Sequence, residues 1–432
     1  MAIAESTSAD RGTPSEERYR RLYLMRALRA IAIGSAAYGG TLALCGGRRT
    51  AVFRMNVAIA GLSAAASAAM YAQRPQDALA VDTFNGTPLK RASAGPVEFD
   101  YSIIIPVYNR PRELRELFEK IAGFLPGWSA CGNAEIVIVD DGSTDNTLDV
   151  ARELAATAPV PIRVVTQKNG GVAGARNRGF IESRARLGIV IDSDCLPYEN
   201  WIPGMIGALA SKPRSFVFSE VRSDRRARFP IEITPAGTLY TGASFGAAVD
   251  DYLELGGNCE LFNGAYLDDV DLVLSAREHG YEILYAEGAS IWHPIRHHAL
   301  ARVWFSGKCH RFDALLALRH GPNATVYYGN RYLGGSWYGN LPSSVLLLAS
   351  AQSAAFAMAS ALVTRNPKDI VTVAKATALL GLGFVAGASA VGVYLKSDVR
   401  DVPNYVVGLG TFAVAASIAR MQGSAKHRLA LL

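Results

Sequence analysis

The stretch Val190–Ile191–Asp192–Ser193–Asp194 decides the fold, because an apolar strand runs directly into two acidic residues separated by one serine. Its apolar residues predict a strand that is buried on both faces, as the strands of parallel sheets are. Open α/β sheets bind ligands at the carboxyl ends of their strands, and the two acids follow at that end. A hard divalent cation is the usual reason for two such carboxylates to converge on one point. We therefore predict a ligand site around Asp192 and Asp194.

Apolar strands and short helices alternate around this stretch. The alternation predicts an α/β fold, with a parallel sheet covered by helices on both faces. Predicted strands cover residues 101–109, 135–141, 162–165, 188–191, 216–219, 281–285 and 289–292. Predicted helices cover residues 111–123, 144–157, 172–186, 201–210 and 248–255. Pro111 suits the first turn of its helix, and Ser143 or Thr144 is the expected cap of the second helix.

Composition and charge narrow the class of protein. Half of the chain is hydrophobic and the formal net charge is +6; the mean hydropathy is +0.14, which predicts that some apolar surface faces lipid. A basic chain suits anionic lipid or a phosphorylated substrate, and the lack of a strip rich in lysine and aromatic residues argues against nucleic acid. The five cysteines form no CxxC pair, which favours a reducing, cytoplasmic environment over a disulfide framework or a zinc site.

The predicted domains follow the apolar segments. They are a disordered basic leader (1–29), two membrane helices (30–72), a linker (73–99), the α/β domain (100–325), and two or three membrane helices (340–420). Each apolar segment has about the length that crosses a bilayer, roughly 20 residues. The alternatives are an interfacial helical hairpin for the first pair and buried helices of a soluble bundle for the tail. Arginines between Arg18 and Arg29 predict that the α/β domain faces the cytoplasm.

Two further motifs suit a nucleotide ligand. In Val139–Thr144 acids lie where a strand meets a helix, a place from which a carboxylate accepts hydrogen bonds from a base or a ribose. The alternative is that these polar residues only cap the following helix. In Asn169–Asn177 glycines precede a helix and allow close backbone approach, so that Arg176 is placed to meet a phosphate.

Five motifs in order resemble those of the family 2 inverting glycosyltransferases of GT-A fold. They are SIIIPVYNRP, VDDGSTDNT, NGGVAGARNRG, IDSD and LDDVDL, and they lie within residues 101–293. The resemblance implies a Rossmann-like nucleotide-diphospho-sugar transferase domain. It also implies a nucleotide-sugar donor, namely a UDP-, GDP- or dTDP-sugar.

The resemblance also assigns roles to residues that bind the donor. Asp141 is expected to bind the nucleotide base in a pocket with Pro106, Tyr108 and Asn109. Gly142 and Arg176 are further residues expected to bind the donor. Asp194 and Asp192 are expected to belong to the site of a divalent cation, Mg²⁺ or Mn²⁺. Asp194 is the expected direct ligand, and Asp192 is expected to reach the ribose or a metal-bound water. His293 is expected to be a further metal ligand or a diphosphate contact, and the alternative is a structural histidine beside Trp292.

The acceptor half of the predicted reaction depends on an acid pair. The resemblance implies that Asp268 and Asp269 are the catalytic acid pair. Asp269 is expected to be the base that deprotonates a hydroxyl acceptor, and Asp268 stands where the family more often has Glu. The segment Leu255–Glu260 departs from the usual Gly-Gly-Phe-Asp-Glu lead-in at Asn258 and Cys259. No Gln-x-x-Arg-Trp motif follows, so transfer is predicted to be non-processive.

The sequence thus predicts an inverting glycosyltransferase of the cell membrane, multi-pass or tightly associated, with its catalytic domain in the cytoplasm. Its expected partners are the nucleotide-sugar, membrane lipid and a glycan, lipid-linked or peptide acceptor, with no nucleic acid. One alternative is a polyprenyl-phosphate sugar synthase, whose phosphate acceptor is already ionised and needs no base. The other is a catalytically silent scaffold of the same fold.

Overall fold

The computed structural model describes residues 88–92, 95–223, 241–264, 267–294, 308–320 and 371–376, with a few isolated residues elsewhere. The chain divides into two compact units, one of Thr83–Phe305 and the other of Met1–Asp82 with Ser306–Leu432. The first unit contains the sheet and all of the predicted site residues. In the second, residues Asp313–His320 form a helix. Most residues outside the sheet unit are not described, so the predicted domain boundaries stay predictions.

The sheet unit is built on one eight-stranded mixed sheet, whose order is β3-β2-β1-β4-β7-β6-β8-β5. The strands in chain order are β1 (Phe99–Val107), β2 (Ala134–Asp140), β3 (Ile162–Thr166), β4 (Ala185–Ile191), β5 (Leu196–Pro197), β6 (Ser215–Arg222), β7 (Ser244–Ala248) and β8 (Glu282–Trp292). Neighbouring strands in the run from β3 to β4 are parallel, and β6 is parallel to β8.

Helices cover both faces of this sheet, as predicted. They are α1 (Pro111–Trp128), α2 (Thr147–Thr157), α3 (Gly171–Glu182), α4 (Trp201–Ser211), α5 (Val249–Leu255) and α6 (Asp268–Glu278). Successive side chains of a strand point to opposite faces, so Ile103 and Ile105 join one apolar core with α1, α2 and α4. Ile104 joins a second core with α3, α5 and α6. Both faces of the sheet are therefore buried from solvent, as the continuous apolar run of β1 indicated.

The prediction of a parallel sheet is confirmed for the first four strands and wrong for β7, which runs antiparallel to both β4 and β6. The short strand β5 is also antiparallel to its neighbour β8. Both directions bury an apolar strand equally well, so a hydrophobic run alone does not distinguish them. The two predicted closing strands are one strand, β8, with an irregularity opposite Ser219 and Glu220.

Three helix boundaries differ by more than two residues from those predicted. α1 continues beyond residue 123 through Pro126, because Trp128 is buried and its indole N–H donates to the carbonyl of Glu199 (2.7 Å). α2 begins at Thr147, and Asp145 accepts the Thr147 backbone N–H (2.9 Å). Ser143 and Thr144 are therefore not its caps. α3 ends at Glu182, since β4 begins three residues later.

Among the described residues, no helix combines the length and the apolar character that crossing a bilayer requires. The segments 30–72 and 340–420, in which we predict membrane helices, lie almost entirely outside the described residues.

Candidate active site

The predicted motifs meet at one edge of the sheet because they follow neighbouring strands. β2, β1 and β4 are adjacent and parallel, so residues 106–110, 140–144 and 192–195 leave the sheet side by side at its carboxyl edge. β7 runs the other way and pairs Ser244 with Ile191, which brings the preceding residues Thr241–Ala243 to the same edge. Ligands of open α/β sheets bind there.

Asn109 joins the end of β1 to the loop after β2. Its backbone is left-handed (φ 51°), a conformation that asparagine tolerates better than most residues. The Asn109 N–H donates to Ser143 Oγ (3.0 Å), and its side-chain oxygen accepts the Thr144 N–H (2.8 Å). Tyr108 is 43% exposed and Pro106 is buried. Tyr108, which directly follows β1, is therefore accessible to a ligand, whereas Pro106 is not.

Asp141 fastens the glycine-rich loop that precedes α3. Its carboxylate accepts the N–H groups of Gly170 and Gly171 and the side-chain amide of Gln167, each at 2.9 Å. Asp141 is buried, and its expected contact with a nucleotide base stays a prediction.

Gly142 packs against the same loop. Its φ is +73°, and a Cβ there would lie 2.9 Å from the backbone nitrogen of Asn169. Gly142, which we predicted to bind the donor, thus has a steric reason to be glycine, because both its backbone angle and its neighbour exclude a side chain.

Arg176 joins two acidic motifs that are far apart in the sequence. Its two terminal nitrogens donate to Asp192 Oδ1 (2.8 Å) and to Asp268 Oδ2 (2.5 Å). The guanidinium is only 3% exposed, and Asp268 is 5% exposed. The sequence predicted a phosphate contact for Arg176, whereas both of its terminal nitrogens are engaged by carboxylates here.

Burial and charge shift the pKa values of this pair. Burial raises the pKa of the Asp268 carboxyl to about 7; Asp269 and Asp192 add to the rise, and Arg176 opposes it. Burial by itself lowers the pKa of Arg176, but the carboxylates of Asp192 and Asp268 outweigh burial and raise it. Arg176 therefore stays charged at neutral pH and neutralises the acids beside it.

Asp269 is the more accessible member of the acid pair, since it is partly exposed and Asp268 is buried. Its Oδ2 accepts the Gly242 N–H (3.0 Å), and its Oδ1 accepts the N–H of Val270 (2.8 Å). A Cβ on Gly242 would lie 2.9 Å from Arg176 and 3.1 Å from the Cβ of Asp269. This close approach holds the carboxylate in one orientation.

The turn into α6 is strained just before the acid pair. Leu267 is buried with φ 67°, and the left-handed conformation is rare for a bulky residue. Such strain persists only when the surrounding structure enforces it, and it concentrates at functional sites. We infer that packing around Leu267 fixes where Asp268 and Asp269 begin the helix.

Asp194, Cys195 and His293 form a compact group of possible metal ligands. One ligand atom of each lies within 4.8 Å of the other two. β5 pairs with the end of β8, with Leu196 opposite Trp292, and this pairing brings His293 beside the residues that follow β4. The predicted ligands Asp194 and His293 thus come together, whereas Asp192 is outside the group and binds Arg176.

Cys195 lies within this group as a buried thiol that fills space between the strand ends. Its side chain is fully buried, and burial raises the pKa of its thiol well above the ordinary value, with Asp194 and Asp192 adding to the effect. The thiol is therefore protonated at neutral pH, and only the thiolate is a good metal ligand.

The sequence reasoning missed Asn258, which it treated only as a departure from the usual motif. Asn258 is buried, and its side-chain oxygen accepts the Tyr252 hydroxyl (2.6 Å). The side-chain NH2 of Asn258 donates to the backbone carbonyl of Asp268 (3.2 Å). The backbone N–H of Asn258 donates to the side-chain oxygen of Asn177 (2.8 Å). Asn258 therefore ties α3 and α5 to the start of α6. Tyr252 and Asn177 lie 75 positions apart in the sequence, so no local pattern could have revealed this network.

We expect Asn258→Ala to destabilise the sheet unit by about 1–3 kcal/mol, because it leaves buried polar groups without partners. Asn146→Ala is the matched control, since Asn146 is exposed and its side chain makes no capping hydrogen bond. The control should stay within about 0.5 kcal/mol of wild type. Thermal unfolding measures both, and equal shifts for the two variants would show that the network contributes nothing.

Comparisons with known proteins point to one family. Residues 102–257 match the family model described as Glycosyl transferase family 2. A dolichol-phosphate mannosyltransferase of Pyrococcus furiosus is 39% identical over 108 residues, which is 25% of this chain and 29% of that protein. An undecaprenyl-phosphate 4-deoxy-4-formamido-L-arabinose transferase of Pseudomonas savastanoi pv. phaseolicola is 31% identical over 166 residues, or 36% of this chain and 46% of that protein. The chain spans less than half the length of these two relatives.

A solved structure supports the fold. A mannosyltransferase of Pyrobaculum calidifontis, determined in complex with GDP-Man and Mn²⁺, superposes with a TM-score of 0.53. The match covers 91% of this chain and 99% of that one, at 19% sequence identity. At this identity the likeness shows a shared fold, so the predicted α/β fold of GT-A type is confirmed.

Proposed function

We propose that this chain is an inverting, non-processive glycosyltransferase, since residues 102–257 match the family model of glycosyl transferase family 2. It moves a sugar from a nucleotide-diphosphate donor to a hydroxyl acceptor. The observation that carries the proposal is that one sheet unit contains two distinct acidic groups, each with its own partner. Asp194 lies with His293, while Asp269 accepts the Gly242 N–H beside Arg176.

The donor half of the proposal concerns a divalent cation at Asp194 and His293. A carboxylate and an imidazole suit Mn²⁺, and the nitrogen ligand suits it better than Mg²⁺, which prefers oxygen ligands. A bound cation stabilises the charge that develops on the leaving diphosphate. Asp194 and His293 are the residues that would hold such a cation. Tyr108 and the loop that Asp141 holds line the nucleotide side of the same edge.

In the part of the proposal that concerns the acceptor, Asp269 takes the proton of the acceptor hydroxyl. The acceptor oxygen attacks the anomeric carbon from the face opposite the diphosphate, and its proton passes to an oxygen of the Asp269 carboxylate. The bond to the diphosphate breaks as the new glycosidic bond forms, which inverts the anomeric centre. Asp268 is a positioning residue, because it is buried against Arg176 and presents no surface to an acceptor.

A polyprenyl phosphate is the second candidate acceptor. Both curated relatives described above are named for a polyprenyl-phosphate substrate, dolichol phosphate or undecaprenyl phosphate. A phosphate is already ionised at neutral pH, so transfer to it requires no base. Such an acceptor also agrees with our proposal of a membrane-attached enzyme with its catalytic domain in the cytoplasm, which rests on the apolar segments and basic leader of the sequence.

Donor binding tests the proposal. The full chain in detergent is titrated with UDP-, GDP- and dTDP-sugars, with and without Mn²⁺, beside Asp194→Asn. Loss of a group that only orients a metal ligand costs about 10–100-fold in metal affinity, and we expect removal of the Asp194 carboxylate to cost at least that much. Asp149→Asn, whose side chain is 79% exposed on α2, is the control and should bind as wild type does. Failure of the folded wild type to bind any donor with Mn²⁺ would contradict the proposal.

A further inference from the structure

Arg110 is a charged residue at the site edge to which the proposed reaction assigns no role. It directly follows Tyr108 and Asn109 and is the N-cap of α1. One of its terminal nitrogens forms an ion pair with Asp194 Oδ2. The Asp194 side chain is only 6% exposed, and that of Arg110 is 29% exposed. Arg110 therefore binds the same carboxylate that the proposed cation requires.

Arginine is disfavoured at the N-cap of α1 by the usual preferences of helix ends. N-cap positions favour Ser, Thr, Asp and Asn, whose side chains accept hydrogen bonds from the first turn, and Arg110 makes no such bond. A cation near a helix N-terminus also opposes the helix dipole. Local rules are broken mainly at functional or strained sites, and the ion pair with Asp194 is the compensation that the structure offers.

We propose that Arg110 is a donor-binding residue that competes with the divalent cation for Asp194. This inference rests on the proposed function. Without a donor, the guanidinium neutralises the buried carboxylate. When the carboxylate binds a cation, the guanidinium loses this partner but stays near the carboxyl edge of the sheet. There its two parallel N–H groups can donate hydrogen bonds to two phosphate oxygens of the donor. The one residue thereby weakens binding of the metal alone and strengthens binding of metal and nucleotide together.

Two effects of opposite sign are therefore expected from Arg110→Ala. Binding of Mn²⁺ alone, followed by electron paramagnetic resonance of the free ion, becomes about 3–10-fold tighter, as expected from losing one partly buried ion pair. Binding of UDP or GDP at saturating Mn²⁺, followed by calorimetry, becomes about 10-fold weaker, as expected from losing one charge-assisted contact. Neither measurement depends on catalytic turnover.

Two controls separate this competition from a general effect of charge. Arg112→Ala removes the same charge from a side chain that is 86% exposed on the same helix, and both affinities should stay at wild-type values. Arg110→Lys keeps the positive charge but loses the two parallel N–H donors of the guanidinium. This variant should bind Mn²⁺ alone as wild type does, and it should bind the nucleotide more weakly. The lysine variant also tests the inference should the alanine variant fail to fold.

The outcomes distinguish this inference from the proposed function. If wild type binds Mn²⁺ and nucleotide but Arg110→Ala binds Mn²⁺ alone no more tightly, the competition is wrong and the transferase site stands. Unchanged nucleotide affinity in both Arg110 variants would likewise refute the donor contact. If wild type binds neither Mn²⁺ nor nucleotide, the metal site fails and the inference with it.

Discussion

Asp269→Asn is expected to lower the turnover number with a hydroxyl acceptor by about 10²–10⁴-fold, the usual contribution of a general base. The asparagine oxygen can still accept one of the two N–H groups that the carboxylate accepts, that of Gly242 at 3.0 Å or that of Val270 at 2.8 Å, so the variant should keep the fold. What it loses is the ability to take a proton. Donor affinity should stay unchanged, because the proposed cation lies at Asp194 and His293.

Initial rates with saturating donor measure this effect, and binding of the donor in the presence of Mn²⁺ provides the internal control. The exposed Asp149→Asn variant should keep full activity. Full activity of Asp269→Asn with a hydroxyl acceptor would mean that the base is elsewhere. Transfer to a polyprenyl phosphate that survives the same substitution would favour the second candidate acceptor, because that reaction requires no proton acceptor.

Arg176→Met is expected to have the largest effect on stability. It leaves Asp192 and Asp268 beside each other without the guanidinium that both of them contact. Breaking a buried ion pair by removing one partner costs about 3–5 kcal/mol, which for a unit of this size lowers the melting temperature by about 10 °C. Methionine retains much of the apolar stem, so the loss measures mainly the uncompensated charge.

A second substitution tests this explanation. Asp268→Asn in the Arg176→Met background removes one of the two stranded carboxylates and should recover part of the lost stability, a coupling that a double-mutant cycle measures. Arg178→Met is the matched control, since Arg178 is 45% exposed and forms an ion pair with Glu182 four residues on. It should cost less than about 1 kcal/mol. The charge explanation fails if the double variant melts no higher than Arg176→Met alone.

The same pair predicts a dependence on pH. Loss of Arg176 removes the influence that lowers the pKa of Asp268, so the folded-state pKa rises above the value of about 7 that burial already produces. A carboxyl whose pKa is raised in the folded state favours folding while it is protonated and loses that contribution as pH rises through the folded pKa. The stability deficit of Arg176→Met should therefore shrink on acidification from pH 8 to pH 6.

Local patterns in the sequence determined the α/β core and the edge at which the site lies. Ile103, Ile104 and Ile105 belong to a continuous apolar run, and such a run is buried on both faces wherever it lies in a sheet. Asp141, Asp192 and Asp194 directly follow such strands, so they reach the carboxyl edge whatever the details of packing. Asp194 and His293 were identified as neighbours only through the resemblance to a family.

Only the tertiary structure decided which charges meet. Arg176 binds Asp192 and Asp268, which are 16 and 92 positions away in the chain, and Arg110 reaches Asp194 from a neighbouring strand end. The tertiary structure also decided the direction of β7, because an apolar strand is buried equally well whether it runs parallel or antiparallel to its neighbours. Hydrophobic periodicity and motif order indicate the secondary structure and the burial of each segment by itself. Pairing between distant side chains depends on strand order and on the crossings that bring segments together, and no single segment contains that information.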